Sequence, residues 1–210
     1  MTYIENVFFC LAAPFMVAVI CVNRDRRRPL LFILAGMISC LFSSYISSFL
    51  AMIYKTDTLT AILEISPVVE EIMKLLPVLF FLLVFEPDKK EAAVESLLVA
   101  VGFATLENAC YLIVNGADDA LQLLIRGFST GAMHVACGAI TAIGLAGTWE
   151  RLPLRIAGTL GTLCMAITWH GIYNILVSQT GAPAIIGYAL PILTGIATIL
   201  TRRKFFPKES

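Results

Sequence analysis

Residues 59–85, LTAILEISPVVEEIMKLLPVLFFLLVF, decide the fold. About 20 apolar residues in a helix cross the ~30 Å of hydrocarbon in a bilayer, and this stretch is long enough to do so. Yet Glu70, Glu71 and Lys74 lie mid-way along it. A charge at that depth costs roughly 2.5–3.5 kcal/mol even on a lenient insertion scale, so such residues usually pair and usually mark function. Glu70 and Lys74, four residues apart, share a helix face and are placed to pair. Glu71 is rotated by ~100° and points at a different neighbour. An ion pair that only orients helices would use Glu70 and Lys74 and leave Glu71 without a basic partner on its own helix.

The rest of the chain has the same character. Apolar residues make up 59% of 210 and charged residues only 14%, whereas a soluble domain carries about 25% charge. Stretches at about 3–22, 30–54, 59–85, 93–115, 120–148, 154–178 and 183–200 are each long enough to span, the last one short and carrying Pro191. Segment length and the lack of an alternating pattern predict helices, not strands. The expected fold is therefore an all-α, polytopic transmembrane bundle of about seven spans, forming one domain over residues 1–210. Formal net charge is zero, so no nucleic-acid partner is expected; the lipid bilayer is the implied surroundings. The six cysteines lie within apolar segments without metal-ligand spacing and read as small buried hydrophobes.

Basic residues set the expected orientation. Arg24, Arg26, Arg27 and Arg28 follow the first span, so residues 3–22 do not read as a cleavable signal, and the cluster is expected to be cytoplasmic. Connectors on that side also hold Lys89, Lys90, Arg151, Arg155, Arg202, Arg203, Lys204 and Lys208, against Lys55 alone on the other. The other side has an acidic connector with Asp118 and Asp119. The N-terminus is thus expected outside and the C-terminus in the cytoplasm.

Three further spans carry buried polar groups. Phe103-Ala-Thr-Leu-Glu107-Asn108 lies in the fourth, His134 follows Arg126, Gly127 and Gly131 in the fifth, and His170-Gly-Ile-Tyr-Asn174 lies in the sixth. Gly127-x-x-x-Gly131 is a step that would let another helix approach. His170 and Asn174 share a face, so the amide could orient the imidazole or a substrate carbonyl. Arg126, about a turn and a half inside the fifth span, could snorkel to the interface or meet a substrate carbonyl. Rises of ~1.5 Å per residue from the expected outer ends put His170 near 10 Å, Glu107 near 12 Å, Glu70 near 17 Å and His134 near 20 Å. Four helices bring polar groups to one band between the outer leaflet and the midplane. Carboxylates and neutral imidazoles there can hold a water, polarise it and accept its proton, with or without a metal.

Together, Glu70-Glu71-x-x-Lys74, Phe103-x-x-x-Glu107-Asn108, His134 and His170-x-x-x-Asn174 resemble the PrsW family of intramembrane proteases. The motif-bearing core covers about residues 59–178. That family is distantly related to CAAX prenyl endopeptidases and to bacterial membrane proteases of bacteriocin processing and self-immunity. Lys74 and Glu107 favour PrsW, since the CAAX branch typically has Arg one position later and His in place of the second-motif Glu. The resemblance implies an intramembrane endopeptidase of a bacterial cytoplasmic membrane. Its implied substrate is a single-pass membrane protein, with first-site cleavage of an anti-sigma factor as the family's archetype. It implies Glu70 as the base activating water and Glu71 as its support. Glu107, His134 and His170 complete a water or metal site, Asn174 helps stabilise the oxyanion, and Lys74, Asn108 and Arg126 support the set. If a divalent metal such as zinc is present, Glu71, Glu107, His134 and His170 are its implied ligands. Glutamic-type and metallo-type chemistry both stay open, as no H-E-x-x-H is present.

Other readings have their own signatures. CAAX-type or bacteriocin processing is the neighbouring one. A proton-coupled transporter would use such groups as a relay, but no inverted repeat is visible and the groups cluster at one level. A haem or quinone protein would use His134 and His170 as axial ligands, and a Soret band in the purified chain would reveal haem.

Overall fold

The computed structural model describes residues 4–116, 119–149 and 152–205, and every secondary-structure element among them is helical. Seven long helices follow one another: α1 (Ile4–Cys21), α2 (Arg24–Tyr54), α3 (Ser66–Phe85), α4 (Lys89–Asn115), α5 (Ala120–Thr148), α6 (Leu152–Val177) and α7 (Ala182–Phe205). Asp118, Arg151 and Lys208 lie outside the described residues. Aspartates in three connectors start helices, Asp57, Asp88 and Asp119 accepting from the N–H of Thr60, Glu91 and Gln122. Each satisfies one of the donors that a helix start leaves free.

Five helices (α1, α2, α4, α5 and α6) are long and apolar enough to cross a membrane. With 20 residues, α3 is also long enough to span, but it carries Glu70, Glu71 and Lys74. The described apolar part of α7, Ala182–Ile196, is shorter.

The expected single span over 59–85 is broken at its start. A one-turn helix (Thr58–Thr60) runs into a π-helical segment (Ala61–Ile65) before α3. Pro67 explains this: it stands in the first turn of α3 and has no N–H to give. Ser66 donates instead to Ala61, five residues back. The next such bond would run from Pro67 to the Ile62 carbonyl, and it cannot form.

Helix α4 is central. Phe103 and Leu106 pack with Phe8 and Ala12 of α1 and with Leu34, Met37 and Cys40 of α2. On another side, Val99 packs with Leu75 and Val78 of α3 and Leu145 of α5. The α2–α4 crossing is backbone on backbone: a Cβ at Gly36 would lie 2.0 Å from the Val99 carbonyl oxygen, and one at Gly102 2.0 Å from that of Ile33. Gly138 of α5 likewise lets Ser96 of α4 donate to its carbonyl at 3.0 Å. The Gly127-x-x-x-Gly131 step is not a close helix contact. A Cβ at Gly131 would meet nothing within 4 Å, and the neighbour of Gly127 is the Asn108 amide at 4.0 Å.

Gly102→Ala should therefore lower stability by about 1–3 kcal/mol, as overpacking against an immovable backbone does. Gly147→Ala, where a Cβ meets nothing within 4 Å, should be neutral or slightly stabilising. Thermal unfolding of both variants in detergent checks the contrast.

Candidate active site

The chain's two histidines and three of its membrane-depth carboxylates meet where α3, α4, α5 and α6 come together. The ammonium of Lys74 donates to Glu71 Oε1 at 2.7 Å and to His134 Nδ1 at 3.0 Å. The same Glu71 oxygen accepts from His170 Nδ1 at 2.7 Å. Lys74 pairs with Glu71, three residues back, and not with Glu70 as the four-residue spacing suggests. Glu71, Lys74, His134 and His170 are each at most 6% exposed, where an unpaired charge is very costly.

Proton positions follow from the partners. An ammonium can only donate, so His134 Nδ1 accepts and its Nε2–H donates to Glu107 Oε2 at 2.5 Å. Glu107 is also met by Arg126 Nη2 at 3.5 Å, and Arg126 Nη1 donates to Asn108 Oδ1 at 2.9 Å. Asn108 in turn donates to the Gly127 carbonyl, and the Arg126 guanidinium lies 3.4 Å over the Tyr111 ring. Arg126 thus holds Glu107 and Asn108 rather than reaching outward. A single chain of bonds runs His170–Glu71–Lys74–His134–Glu107–Arg126–Asn108.

Glu70 stands outside that chain. With His170 Nδ1–H committed to Glu71, the lone pair of Nε2 faces Glu70 Oε2 across 3.7 Å. Among the described residues that buried Glu70 oxygen has no hydrogen-bond partner. The charges lead to the same place. Lys74 pairs with Glu71 and Arg126 with Glu107, and among the described residues no lysine or arginine pairs with Glu70.

Glu70 and Glu107 also line a cavity of about 480 Å³. Ser43, Ser44, Ser47 and Ser48 of α2 form one wall, Ala61, Ile62 and Ser66 another, and Thr56, Asp57 and Thr58 lie at the α2–α3 connector. The Thr60 N–H holds the Asp57 carboxyl below its ordinary range at that connector. Among the described residues the buried Ser47 hydroxyl lacks a partner, as do Thr56 Oγ1 and Glu70 Oε2. This serine wall was not singled out in the sequence, although its i, i+4 spacing (43, 47 and 44, 48) is a legible signal.

Residues 26–200 match the family model of the PrsW family intramembrane metalloprotease. The chain belongs to that family. No curated protein and no solved structure matches it. As a PrsW-family member built of apolar helices, it is an integral membrane protein and an intramembrane protease.

The family name implies a metal, and the residues present fit one. Ligand atoms of Glu70, His134 and His170 lie within 4.8 Å of one another, and the buried Glu70 oxygen, without a hydrogen-bond partner among the described residues, is what a cation would satisfy. This set differs from the one the resemblance implied. Glu71 and Glu107 hold His170 Nδ1 and His134 Nε2, the outer-carboxylate arrangement that fixes ligating imidazoles. His134 has both nitrogens engaged and would exchange one of these bonds to become a ligand. Asn174 is not in the cluster either. Its amide donates to the Ile62 carbonyl at 3.0 Å, the acceptor that Pro67 leaves without a helical donor.

Two outcomes are expected. Lys74→Ala strands the buried Glu71 carboxylate and should cost about 3–5 kcal/mol, while Glu70→Gln, at an oxygen without a partner, should leave thermal unfolding nearly unchanged. Elemental analysis of the purified protein should find a divalent metal that His170→Ala loses, with affinity lowered about 10–100-fold in Glu71→Gln.

Proposed function

We propose that this PrsW-family chain is an endopeptidase of a bacterial cytoplasmic membrane that cuts a single-pass membrane protein. The substrate class favoured by its motif set is an anti-sigma factor at its first cleavage. The observation that carries the catalytic reading is the approach of Glu70 Oε2 to His170 Nε2 at 3.7 Å, with Glu70 lining the serine-walled cavity. A water held between a carboxylate and an imidazole lone pair can lose a proton to Glu70 as it attacks the scissile carbonyl. Glu71 keeps His170 in the tautomer that presents Nε2. Lys74 does the same for His134, and Glu107, fixed by Arg126, holds the far side of that ring. A divalent cation on Glu70, His134 and His170 would supply Lewis-acid polarisation of the carbonyl and of the attacking water. Asn174 positions the π-helical wall of the cavity rather than the oxyanion.

Charge asymmetry supports an N-terminus outside and a C-terminus in the cytoplasm. On that orientation the Thr56–Thr58 connector faces the extracytoplasmic side, and the cavity it lines opens outward. The whole chain, residues 1–210, acts as one protease domain in this reading. Cutting there clips the substrate near its outer membrane boundary.

Co-expression with candidate single-pass substrates tests this. Glu70→Gln should lower cleavage by at least about a hundredfold, the lower end of what general-base catalysis contributes. Mass spectrometry should place the cut bond near the extracytoplasmic boundary. Near-normal cleavage by Glu70→Gln would sink the base assignment, and a cytoplasmic-side cut would sink the orientation.

A further inference from the structure

A second cavity, of about 810 Å³, lies between α2 and α3 at the end away from Glu70. Arg24, Arg27 and Arg28 line it, with Glu91 as the one carboxylate among the described lining residues. Arg28 is neutralised there, its Nη1 lying 2.7 Å from Glu91 Oε1. Arg27 donates its Nε–H to the Val22 carbonyl at 3.0 Å and its Nη2 to the Ile20 carbonyl at 3.5 Å, both at the end of α1, which leaves Nη1 for a further acceptor. Among the described residues no carboxylate meets Arg24 or Arg27, and the described lining carries three guanidinium groups against one carboxylate. Arg24 and Arg27 stand at the start of α2, where the helix dipole disfavours cations. An anion at the rim would relieve that.

The walls are of another kind. Leu31, Phe80 and Phe85 line the cavity and are at least half exposed, and the lining runs along α2 to Ala35. From Arg24 to Ala35 the helix rises ~16 Å. That is about half of a ~30 Å hydrocarbon core, or the depth of one leaflet.

We propose that this groove binds one anionic phospholipid, its phosphate on Arg24 and Arg27 and an acyl chain along Leu31, Ala35, Phe80 and Phe85. Guanidinium groups bind phosphate through paired, charge-assisted hydrogen bonds. A zwitterionic lipid fits less well, since its own ammonium competes for the phosphate and adds a cation to an already cationic rim. The groove shares no lining residue with the Glu70 cavity, so the inference stands apart from the catalytic assignment.

The test uses the full chain in detergent, with native mass spectrometry and thermal unfolding. Phosphatidylglycerol is compared with phosphatidylcholine of the same acyl composition. One phosphatidylglycerol should stay bound through delipidation and raise Tm, and phosphatidylcholine should do neither. The Arg24→Gln/Arg27→Gln double variant should weaken retention by at least about tenfold, from the usual contribution of each basic residue at an anionic membrane surface. Ala35→Trp should weaken it by blocking the apolar arm. Arg26→Gln, a neighbouring arginine that does not line the groove, should retain the lipid. Equal retention of both lipids, or wild-type retention by the double variant, would overturn the proposal. So would equal protection by inorganic phosphate alone, or a dimer that Ala35→Trp abolishes, which would make a second copy the occupant.

Discussion

The Lys74 ammonium is the constraint on which the rest of the site depends. It is buried, it can only donate, and its acceptors are Glu71 on its own helix and His134 on α5. Glu71 also holds His170, which draws α6 to the same point. Because Lys74 occupies His134 Nδ1, the proton on that ring goes to Nε2 and finds Glu107 of α4. One cation and the carboxylate it holds thus tie four helices together, Lys74 setting the tautomer of His134 and Glu71 that of His170. Replacing a buried ion pair by apolar residues is often neutral or stabilising. Its role here is read most directly as specificity: an apolar side chain at 74 would pack but would leave His134 Nδ1 without the donor that sets its tautomer.

The polar set and its four helices were legible in the sequence because charge in hydrocarbon is costly enough to stand out. The pairing within the set was not. Positions i+3 and i+4 are both helix neighbours, so Lys74 could reach Glu70 or Glu71, and the choice rests on His170, which packs on the Glu71 side. The same limit applies to glycines. Gly127 and Gly131 make a recognisable step, yet the backbone contact forms at Gly36 and Gly102. A glycine is useful only where a partner helix arrives, and that partner is not written in the local sequence.

The π-helical turn has a similar history. Pro67 is visible in the chain, but within a long apolar run it predicts only a tolerated helix breaker. Three residues decide the outcome together: Pro67 removes a donor, Ser66 shifts its bond back to Ala61, and Asn174 of another helix supplies the missing partner to Ile62. Asn174 therefore keeps the motif spacing His170-x-x-x-Asn174 for a backbone reason. Its partner forms the wall opposite the α2 serines, so a residue away from the chemistry sets the width of the cavity beside Glu70.

Helices α2 and α3 also explain why the molecule has two unlike cavities. Ser39 of α2 donates to the Met73 carbonyl of α3 at 2.9 Å, close to the middle of both helices. Two helices that cross at an angle pack closely near the crossing and diverge beyond it. The seam therefore opens in both directions from Ser39. Toward Tyr54 the space is bordered by serines and ends on Glu70, and toward Arg24 it is bordered by phenylalanines and ends on arginines. Composition along one helix separates the two roles. The run Ser43, Ser44, Ser47, Ser48 makes one end wettable, and Leu31, Phe32 and Ala35 make the other hydrocarbon-like. The same crossing borders both cavities, and a change at the Ser39–Met73 contact would be felt at both.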